Sequence, residues 1–256
     1  MTFTQHNHNG VIYMTSANIT ATHAFSTRFG GVSSGIFASL NLGLNTDDDL
    51  LNVKENYRRF CEATGIITDD IVFSNQVHGT HIRTVSRGDC GALFIPGKPQ
   101  ADGLITNQPG VALLVFIADC VPILLHDPAR NVIGAVHAGW RGTAAGIVSI
   151  AVAKMKDDFN CNPGDIHAAI GPSISGCCYE VGEEVADAFC EFKECITKYN
   201  GKYKADLKEC NRIQLANAGV TYISISDECT CCNNEKYWSH RFTKGERGSQ
   251  VAIISL

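Results

Sequence analysis

Residues 111–143 read VALLVFIADCVPILLHDPARNVIGAVHAGWRGT and contain three apolar runs in close succession. The runs Val111–Ile117, Val121–Leu125 and Val132–Val136 are rich in β-branched residues and Leu, and they predict three strands. Val111–Ile117 is apolar at consecutive positions, which is typical of a central strand covered on both faces. A stretch rich in Ala, Ile, Val, Lys and Met follows at Thr143–Phe159 and predicts a helix, with Thr143 as its N-cap.

Strand and helix patterns alternate along the rest of the chain. Further strands are predicted at Thr22–Arg28, Ile71–Phe73, Ile82–Val85, Ile166–Ile170, Tyr222–Ile225 and Gln250–Ile254. Further helices are predicted from Leu50 to near Gly65, at Gly182–Phe192 and at Asp206–Ala218. This mixture indicates an α/β (α+β) fold, expected to be a single compact domain with mixed β-sheets flanked by helices. We assign residues 1–20 to an N-terminal extension and first strand region, and residues 21–256 to a single catalytic domain.

Composition limits the classes of partner. The chain has 256 residues and a formal net charge of −5, whereas proteins that bind nucleic acid usually carry a basic face. The longest apolar stretch, Val111–Ala118, is far shorter than the roughly 20 residues that cross a bilayer. The N-terminal MTFTQHNHNG lacks the basic start and apolar run of a secretory signal. We therefore expect a cytoplasmic protein with no membrane or nucleic-acid partner.

The 12 cysteines are scattered along a mid-sized chain without an export signal, so reduced thiols that pack as small apolar groups are expected. Cys229, Cys231 and Cys232 contain one C-x-x-C spacing. A zinc ribbon needs a second pair of that kind, and the sequence has none. We therefore interpret this cysteine cluster as structural or incidental.

Three segments place a metal ligand or nucleophile beside a predicted strand: FSNQVHGTHI (Phe73–Ile82), IADCVPILL (Ile117–Leu125) and AVHAGWRGTAAGI (Ala135–Ile147). His78, Cys120 and His137 would form a three-ligand zinc set whose fourth position stays open to water, as in catalytic sites. On the residues alone, two hydrogen-bonded histidines and a buried thiol are the commoner explanation. His81 and His126 have equal formal claims, and the pattern does not choose between His78 and His81.

A second chemical signal is the AGWRGT turn at residues 138–143, which precedes a predicted helix. Main-chain N–H groups and the Arg141 guanidinium would converge there on an anion. A glycine turn with Arg141 in a surface ion pair explains the same residues. The glycine-rich loop earlier in the chain adds Arg28, Ser39 and Asn41 as polar candidates, although such loops usually have no ligand.

Taken together, these segments resemble the laccase-domain, or polyphenol oxidase-like, family of the YfiH type. The motifs that carry the resemblance are STRFGGVSSGIFASLNLG (26–43), QVHG (76–79), ADGLIT (101–106), ADCVPILL (118–125), HAGWRGT (137–143), IGPSISGCCYEVG (170–182) and WSHR (238–241). They run in consistent order from about His23 to the C-terminus. The resemblance implies a YfiH-like fold and a metal held by His78, Cys120 and His137, with Zn(II) expected and Cu(II) also compatible.

The resemblance further implies a purine nucleoside enzyme that phosphorolyses adenosine, inosine and methylthioadenosine and deaminates adenosine. Cys120 and Asp119 are the predicted catalytic residues, with Asp119 or Asp102 as proton carrier during deamination. Arg141, with Arg28 and Asn41, is expected to bind the phosphate and substrate. The small-molecule partners are therefore nucleosides and phosphate, and the chain is expected to be a monomer or homodimer.

The C-terminal segment departs from the family pattern. Many relatives carry Thr-Gly-Arg there, whereas this chain reads ERGSQ (246–250), with Ser249 in place of the arginine and Arg247 two residues earlier. His240 also stands where a tyrosine is common. The predicted site does not include these three residues.

Three alternative functions remain at this point. One is a copper-dependent polyphenol oxidase, although nine histidines with one strong trio do not build the linked copper centres of a laccase. Another is a metal-free hydrolase with Cys120 as nucleophile and His137 as base. The third is a metal-stabilised protein that has no enzymatic activity.

Overall fold

The apolar runs of residues 111–138 form three of the strands in a computed structural model, which describes residues 3–256. In chain order the strands are β1 (Phe3–His8), β2 (Val11–Ser16), β3 (Thr22–Ser26), β4 (Ile71–Val72), β5 (Ile82–Thr84), β6 (Gly103–Thr106), β7 (Ala112–Ile117), β8 (Val121–Asp127), β9 (Val132–Ala138), β10 (His167–Ile170), β11 (Glu180–Val181), β12 (Ile196–Tyr199), β13 (Lys202–Ala205), β14 (Tyr222–Ile225) and β15 (Gln250–Ser255). The helices are α1 (Leu50–Thr64), α2 (Trp140–Ala144), α3 (Ile147–Phe159), α4 (Glu183–Asp187), α5 (Leu207–Asn217) and α6 (His240–Thr243).

The strands form two six-stranded sheets and one small sheet. The first sheet has the order β1-β2-β3-β15-β7-β4, the second β14-β10-β8-β9-β6-β5, and the small one β11-β13-β12. Both large sheets are mixed: β4 runs parallel to β7 in the first, and β5 and β14 run parallel to β6 and β10 in the second. The prediction of a single α/β domain with mixed sheets flanked by helices is confirmed.

The two large sheets pack face to face and are each covered by helices on the other side. Leu113 and Val115 of the first sheet meet Leu124 and Ala135 of the second in one apolar core. The outer face of the first sheet packs on α1, and the outer face of the second sheet packs on α3 and α5. This four-layer arrangement explains why β7, β8 and β9 are apolar on both faces.

Two helices differ from the prediction. The helix expected from Thr143 is divided, because α2 already begins after Gly139 and α3 begins after Gly146, which has a φ of 76°. Thr143 is therefore not a cap but a buried residue inside α2, where its hydroxyl accepts a hydrogen bond from Asn211. The helix expected at Gly182–Phe192 is confined to α4, because the chain then turns into the small sheet. No described helix is long and apolar enough to cross a membrane.

Residues 3–16, within the segment assigned to an N-terminal extension and first strand region, form the β1–β2 hairpin at the edge of the first sheet. The residues of β1 are all half-buried or exposed, and their sequence FTQHNH has no apolar and polar alternation that would predict a strand.

The connection between the two sheets determines where the chemistry lies. Ala118, Asp119 and Cys120 are the only residues between β7 of the first sheet and β8 of the second. Asp119 makes this turn in the left-handed region, with a φ of 85°. Strand β9 pairs with β8 so that His137 lies opposite Pro122. Cys120 and His137 therefore meet at one end of the second sheet.

We expect Leu125→Ala to lower the free energy of unfolding by about 2–5 kcal/mol, because the side chain is fully buried between β9 and the helical layer. Urea denaturation measures this change. The matched control is Leu51→Ala on α1, where the side chain is 72% exposed and a change within about 0.5 kcal/mol is expected. Equal losses in the two variants would contradict the assigned core.

Candidate metal centre and anion site

The structure brings His78, Cys120 and His137 together. The nearest ring nitrogens and the Cys120 sulfur all lie within 4.8 Å of one another, and the two imidazole centroids are 4.9 Å apart at nearly right angles. His78 comes from the loop between β4 and β5, where its φ of 59° is unusual for a residue with a side chain. The assignment of these three residues as metal ligands remains a prediction, and their arrangement fits one metal ion.

The buried carboxylate of Asp102 holds two of these three residues in place. Oδ1 accepts hydrogen bonds from the N–H of His78 and from Nδ1 of His137, each at 2.9 Å. Oδ2 accepts from the N–H groups of Val77 and Gly79 at 3.2 and 2.8 Å. Three successive main-chain donors thus close around one carboxylate and fix the left-handed turn at His78.

Asp102 also determines which nitrogen of His137 faces the cluster. A carboxylate without a proton only accepts hydrogen bonds, so Nδ1 of His137 carries a hydrogen and Nε2 is the ring nitrogen left to face the cluster. A carboxylate behind a histidine ligand is a common arrangement in zinc sites. Asp102 was predicted as an alternative proton carrier, but its four hydrogen bonds give it a positioning role.

The electrostatics of the trio favour a thiolate. Burial alone would raise the pKa of the Cys120 thiol, but the charge and hydrogen bonds of His137 and His78 outweigh it and lower that pKa to about 6. Burial would likewise lower the pKa of His137, but Cys120 and Asp102 raise it to about 9. Burial opposes ionisation of Asp102, yet hydrogen bonds from His137 and Gly79 lower the pKa of its carboxyl.

The donor set and the space around it suit zinc. One thiolate and two imidazoles are three of the ligands that Zn(II) prefers, and three protein ligands leave a position for substrate or water. Gly139 lies against the trio, since a Cβ there would come within 2.8 Å of the His78 ring and 3.3 Å of the Cys120 sulfur. A side chain at position 139 would therefore displace the candidate ligands.

An open cleft of about 930 Å³ adjoins the loop that carries His78, although none of the three trio residues lines it. Gln76 of the His78 loop and Phe116 at the end of β7 line it, as do His240 and Arg247 from the C-terminal segment. The opposite wall comes from the loop that precedes α1, including Gly43 and Thr46. The volume lies within the range of about 300–1,000 Å³ that is usual for small-molecule sites.

Two residues beside the trio were not predicted. Arg247 lines the cleft, its buried Nε has no partner among the described residues, and the negative charges of Asp119 and Cys120 act on it. Tyr179 lies near Arg141 and Arg241, with its ring 5.2 Å from the Arg241 guanidinium carbon. The ERGSQ segment differs from the family pattern and contains Arg247, but only the packing of the C-terminal segment shows that Arg247 is close to Cys120.

Asp119 adjoins the trio along the chain, but its carboxylate already has two donors. Oδ1 accepts from the hydroxyl of Thr230 and Oδ2 from the N–H of Arg241, each at 2.6 Å. Asp119 therefore ties the segment 230–241 to the turn that carries Cys120. Its role as proton carrier remains a prediction.

The three predicted anion-binding residues lie in different surroundings. Arg141 is exposed, stacks on Trp140 at 4.2 Å and acts electrostatically on Tyr179. Arg28 instead donates to the carbonyl oxygens of Ala38 and Asn234 and stacks on a buried tryptophan.

Asn41 is fully buried and has mainly loop contacts. Its amide donates to Thr46 and Asp48 and accepts from the N–H groups of Gly43 and Ser249. Phosphate binding by Arg28 and Asn41 remains a prediction, and their hydrogen bonds organise the wall of the cleft. Ser39 similarly bonds within the same loop.

The other residues considered in the sequence analysis lie outside the trio. His81 is exposed and does not belong to the three-residue group, and His126 lies at the far end of β8 next to Thr20. Cys229 and Cys232, which were interpreted as structural or incidental, lie with Cys177 and Cys178 in a second group of candidate ligands. The adjacent pair Cys177–Cys178 was overlooked because it lacks C-x-x-C spacing.

We expect Asp102→Asn to weaken zinc binding by about 10- to 100-fold, because an amide does not accept all four of these hydrogen bonds and disturbs the His137 tautomer. Competition with a chromophoric chelator measures the affinity. Asp127→Asn is the matched control, since Asp127 is also fully buried but binds Ala129 and Arg130 at the other end of β8. Unchanged zinc affinity in folded Asp102→Asn protein would contradict the role of Asp102.

Comparisons with known proteins identify the family of the chain. The family model described as multi-copper polyphenol oxidoreductase laccase matches residues 22–256. Purine nucleoside phosphorylase YlmD of Geobacillus stearothermophilus is 39% identical over 248 residues, covering 91% of this chain and 89% of YlmD. Purine nucleoside phosphorylase YfiH of Escherichia coli is 37% identical over 239 residues, covering 90% of this chain and 92% of YfiH.

Similarity extends to the three-dimensional structure. The crystal structure of YlmD from Geobacillus stearothermophilus superposes with a TM-score of 0.93 at 38% identity, over 99% of this chain and 98% of that one. Sequence and fold agree over nearly the whole length. The chain therefore belongs to the multi-copper polyphenol oxidoreductase laccase family, in which it is similar to YlmD and YfiH.

Proposed function

We propose that this protein is a zinc-dependent purine nucleoside phosphorylase that cleaves adenosine, inosine and methylthioadenosine and also deaminates adenosine. The observation that carries the proposal is the group of His78, Cys120 and His137, whose Cys120 acts electrostatically on Arg247 in the lining of the adjoining cleft. The names of the relatives YlmD and YfiH, both purine nucleoside phosphorylases, support the substrate class.

His78, Cys120 and His137 would hold the zinc ion. At that position zinc would supply a Lewis acid beside the purine and lower the pKa of a water molecule for deamination. The chain's own contribution is to keep the three donors in place through Asp102 and Gly139. Cu(II) also binds nitrogen and sulfur donors strongly, so copper taken up during purification is compatible with this donor set.

Arginines are proposed to bind the phosphate. Arg247 lines the cleft, and its Nη1 donates to the carbonyl of Gly248 and the hydroxyl of Ser249, while its buried Nε has no partner among the described residues. Arg141 and Arg241 add positive charge near Tyr179. A bound phosphate would be oriented so that one oxygen forms a bond to the anomeric carbon of ribose.

The departing purine needs a proton or hydrogen bond. When the bond from the anomeric carbon to the base nitrogen breaks, the base keeps the electron pair and becomes more basic. Burial and the charges of Cys120 and Asp119 raise the pKa of Tyr179 to about 12, so its hydroxyl keeps its proton at neutral pH. We propose that this hydroxyl donates a hydrogen bond to the leaving base.

One observation favours a second candidate. Cys120, His137 and Asp102 follow each other as nucleophile, base and orienting carboxylate, which is the arrangement of a cysteine hydrolase. His78, however, has no part in such a triad, whereas a metal centre uses it. A copper oxidase is less well supported, because the described residues offer one His-Cys group and one all-cysteine group rather than linked histidine-rich centres.

Product analysis with adenosine separates the two nucleoside reactions. We expect adenine and ribose 1-phosphate to form only when phosphate is present, and inosine to form whether or not phosphate is added. Inosine with phosphate should release hypoxanthine. If no nucleoside is converted by protein that contains zinc, the proposed function is wrong.

Cys120→Ala distinguishes the metal centre from the hydrolase triad. We expect this variant to lose zinc from the site and phosphorolysis together, because it removes the single sulfur of the donor set. Elemental analysis and hypoxanthine release provide the two measurements. Metal-free wild-type protein with full activity that is abolished by alkylation of Cys120 would support the triad instead.

Arg247→Gln tests the phosphate site. We expect the KM for phosphate to rise by about tenfold or more, because a hydrogen bond to a charged group contributes about 1.5–3 kcal/mol. The control is Arg212→Gln, which breaks an exposed pair with Glu209 on α5 and should leave the KM unchanged. Equal phosphate KM values for Arg247→Gln and wild-type protein would remove Arg247 from the site.

A further inference from the structure

A second group of sulfur atoms lies outside the candidate active site. It comprises Cys177 and Cys178, which follow β10, and Cys229 and Cys232, which follow β14. The four sulfurs lie within 4.8 Å of one another. The two chain segments are some 50 residues apart in sequence and meet because β10 and β14 are parallel neighbours.

The spacing of the sulfur atoms fits a tetrahedral metal site. The Cys232 sulfur is 3.6 Å from that of Cys177 and 3.3 Å from that of Cys178, and the latter two are 3.8 Å apart. Zinc–sulfur bonds of about 2.3 Å place the corners of a regular tetrahedron about 3.8 Å apart. Four protein ligands fill such a site and leave no position for substrate, so its role would be structural.

Hydrogen-bond donors and two lysines lie around the sulfur atoms. The N–H of Ser175 points at the Cys229 sulfur at 3.4 Å. Lys204 donates to the carbonyl of Cys177, and the buried amine of Lys208 donates to the carbonyls of Ser226 and Glu228. Four thiolates and one divalent ion carry two net negative charges, which the positive charges of Lys204 and Lys208 partly balance.

We propose that Cys177, Cys178, Cys229 and Cys232 bind a structural zinc ion. The proposal does not depend on the nucleoside chemistry. A disulfide within the group would engage two sulfurs and leave the other two unexplained, whereas one metal ion engages all four.

The zinc ion would join two segments that form one side of the candidate active site. Cys178 directly precedes Tyr179, and Cys229 directly precedes Thr230, whose hydroxyl donates to Asp119. The N–H of Thr230 also donates to the carbonyl of Ser173, which lies in the segment that carries Cys177 and Cys178. Binding would therefore hold Tyr179 and Thr230 at a fixed separation near Cys120.

Zinc stoichiometry tests the proposal. Protein purified anaerobically is expected to contain about two zinc ions per chain, and Cys232→Ser about one, with the zinc of the His78, Cys120 and His137 group retained. Cys190→Ser is the control, because Cys190 is exposed and outside both groups, and it should retain wild-type zinc content. Equal zinc content in Cys232→Ser and wild-type protein would overturn the proposal.

A second measurement covers the case in which Cys232→Ser does not fold. Cys120→Ala removes the sulfur of the other group, so sulfur-to-metal absorption from this variant loaded with Co²⁺ comes from the four cysteines. We expect the intense absorption of a tetrahedral cobalt tetrathiolate. Its absence, a disulfide within the group in anaerobically purified protein, or iron with sulfide in place of zinc would each refute the assignment.

Discussion

The hydrogen bonds to the Asp102 carboxylate are the constraint on which the candidate metal centre depends. Asp102 is fully buried, so its charge requires donors, and it receives three main-chain N–H groups and the His137 imidazole. A main-chain hydrogen bond also connects Asp102 to His137, since the N–H of His137 donates to the carbonyl of Asp102 at 2.7 Å. One residue at the start of β6 thereby fixes both a loop and a strand.

The rest of the architecture divides into a framework of strands and a set of surrounding loops. The framework of β7, β8 and β9 is buried on both faces and carries Cys120 and His137 at its end. The surrounding loops contain the arginines, Tyr179 and the cysteine group. The contacts of Asp119 with Thr230 and Arg241 hold these loops to the framework. The candidate metal ligands and the proposed substrate contacts thus come from different parts of the chain.

Local patterns predicted the central strands, and motifs carried by several segments predicted which distant residues meet. Val111–Ile117 identified β7 because burial on both faces leaves a continuous apolar run. The four-cysteine group was beyond prediction, because it depends on the parallel pairing of β10 with β14. Arg247 was not predicted because its proximity to Cys120 comes from the packing of the C-terminal segment. The break at Gly146 was not predicted because tertiary packing overrides a continuous helical pattern there.

The turn that carries Cys120 has a consequence for substrate selection. Because only Ala118, Asp119 and Cys120 separate two buried strands in different sheets, Cys120 moves little unless both sheets slide. Under the proposed function, adjustment to nucleosides of different size therefore falls to the surrounding loops, which carry exposed residues such as His240 and Arg141. Divergence in nucleoside preference among related proteins is accordingly expected at the rim of the cleft, while the crossover behind it stays unchanged.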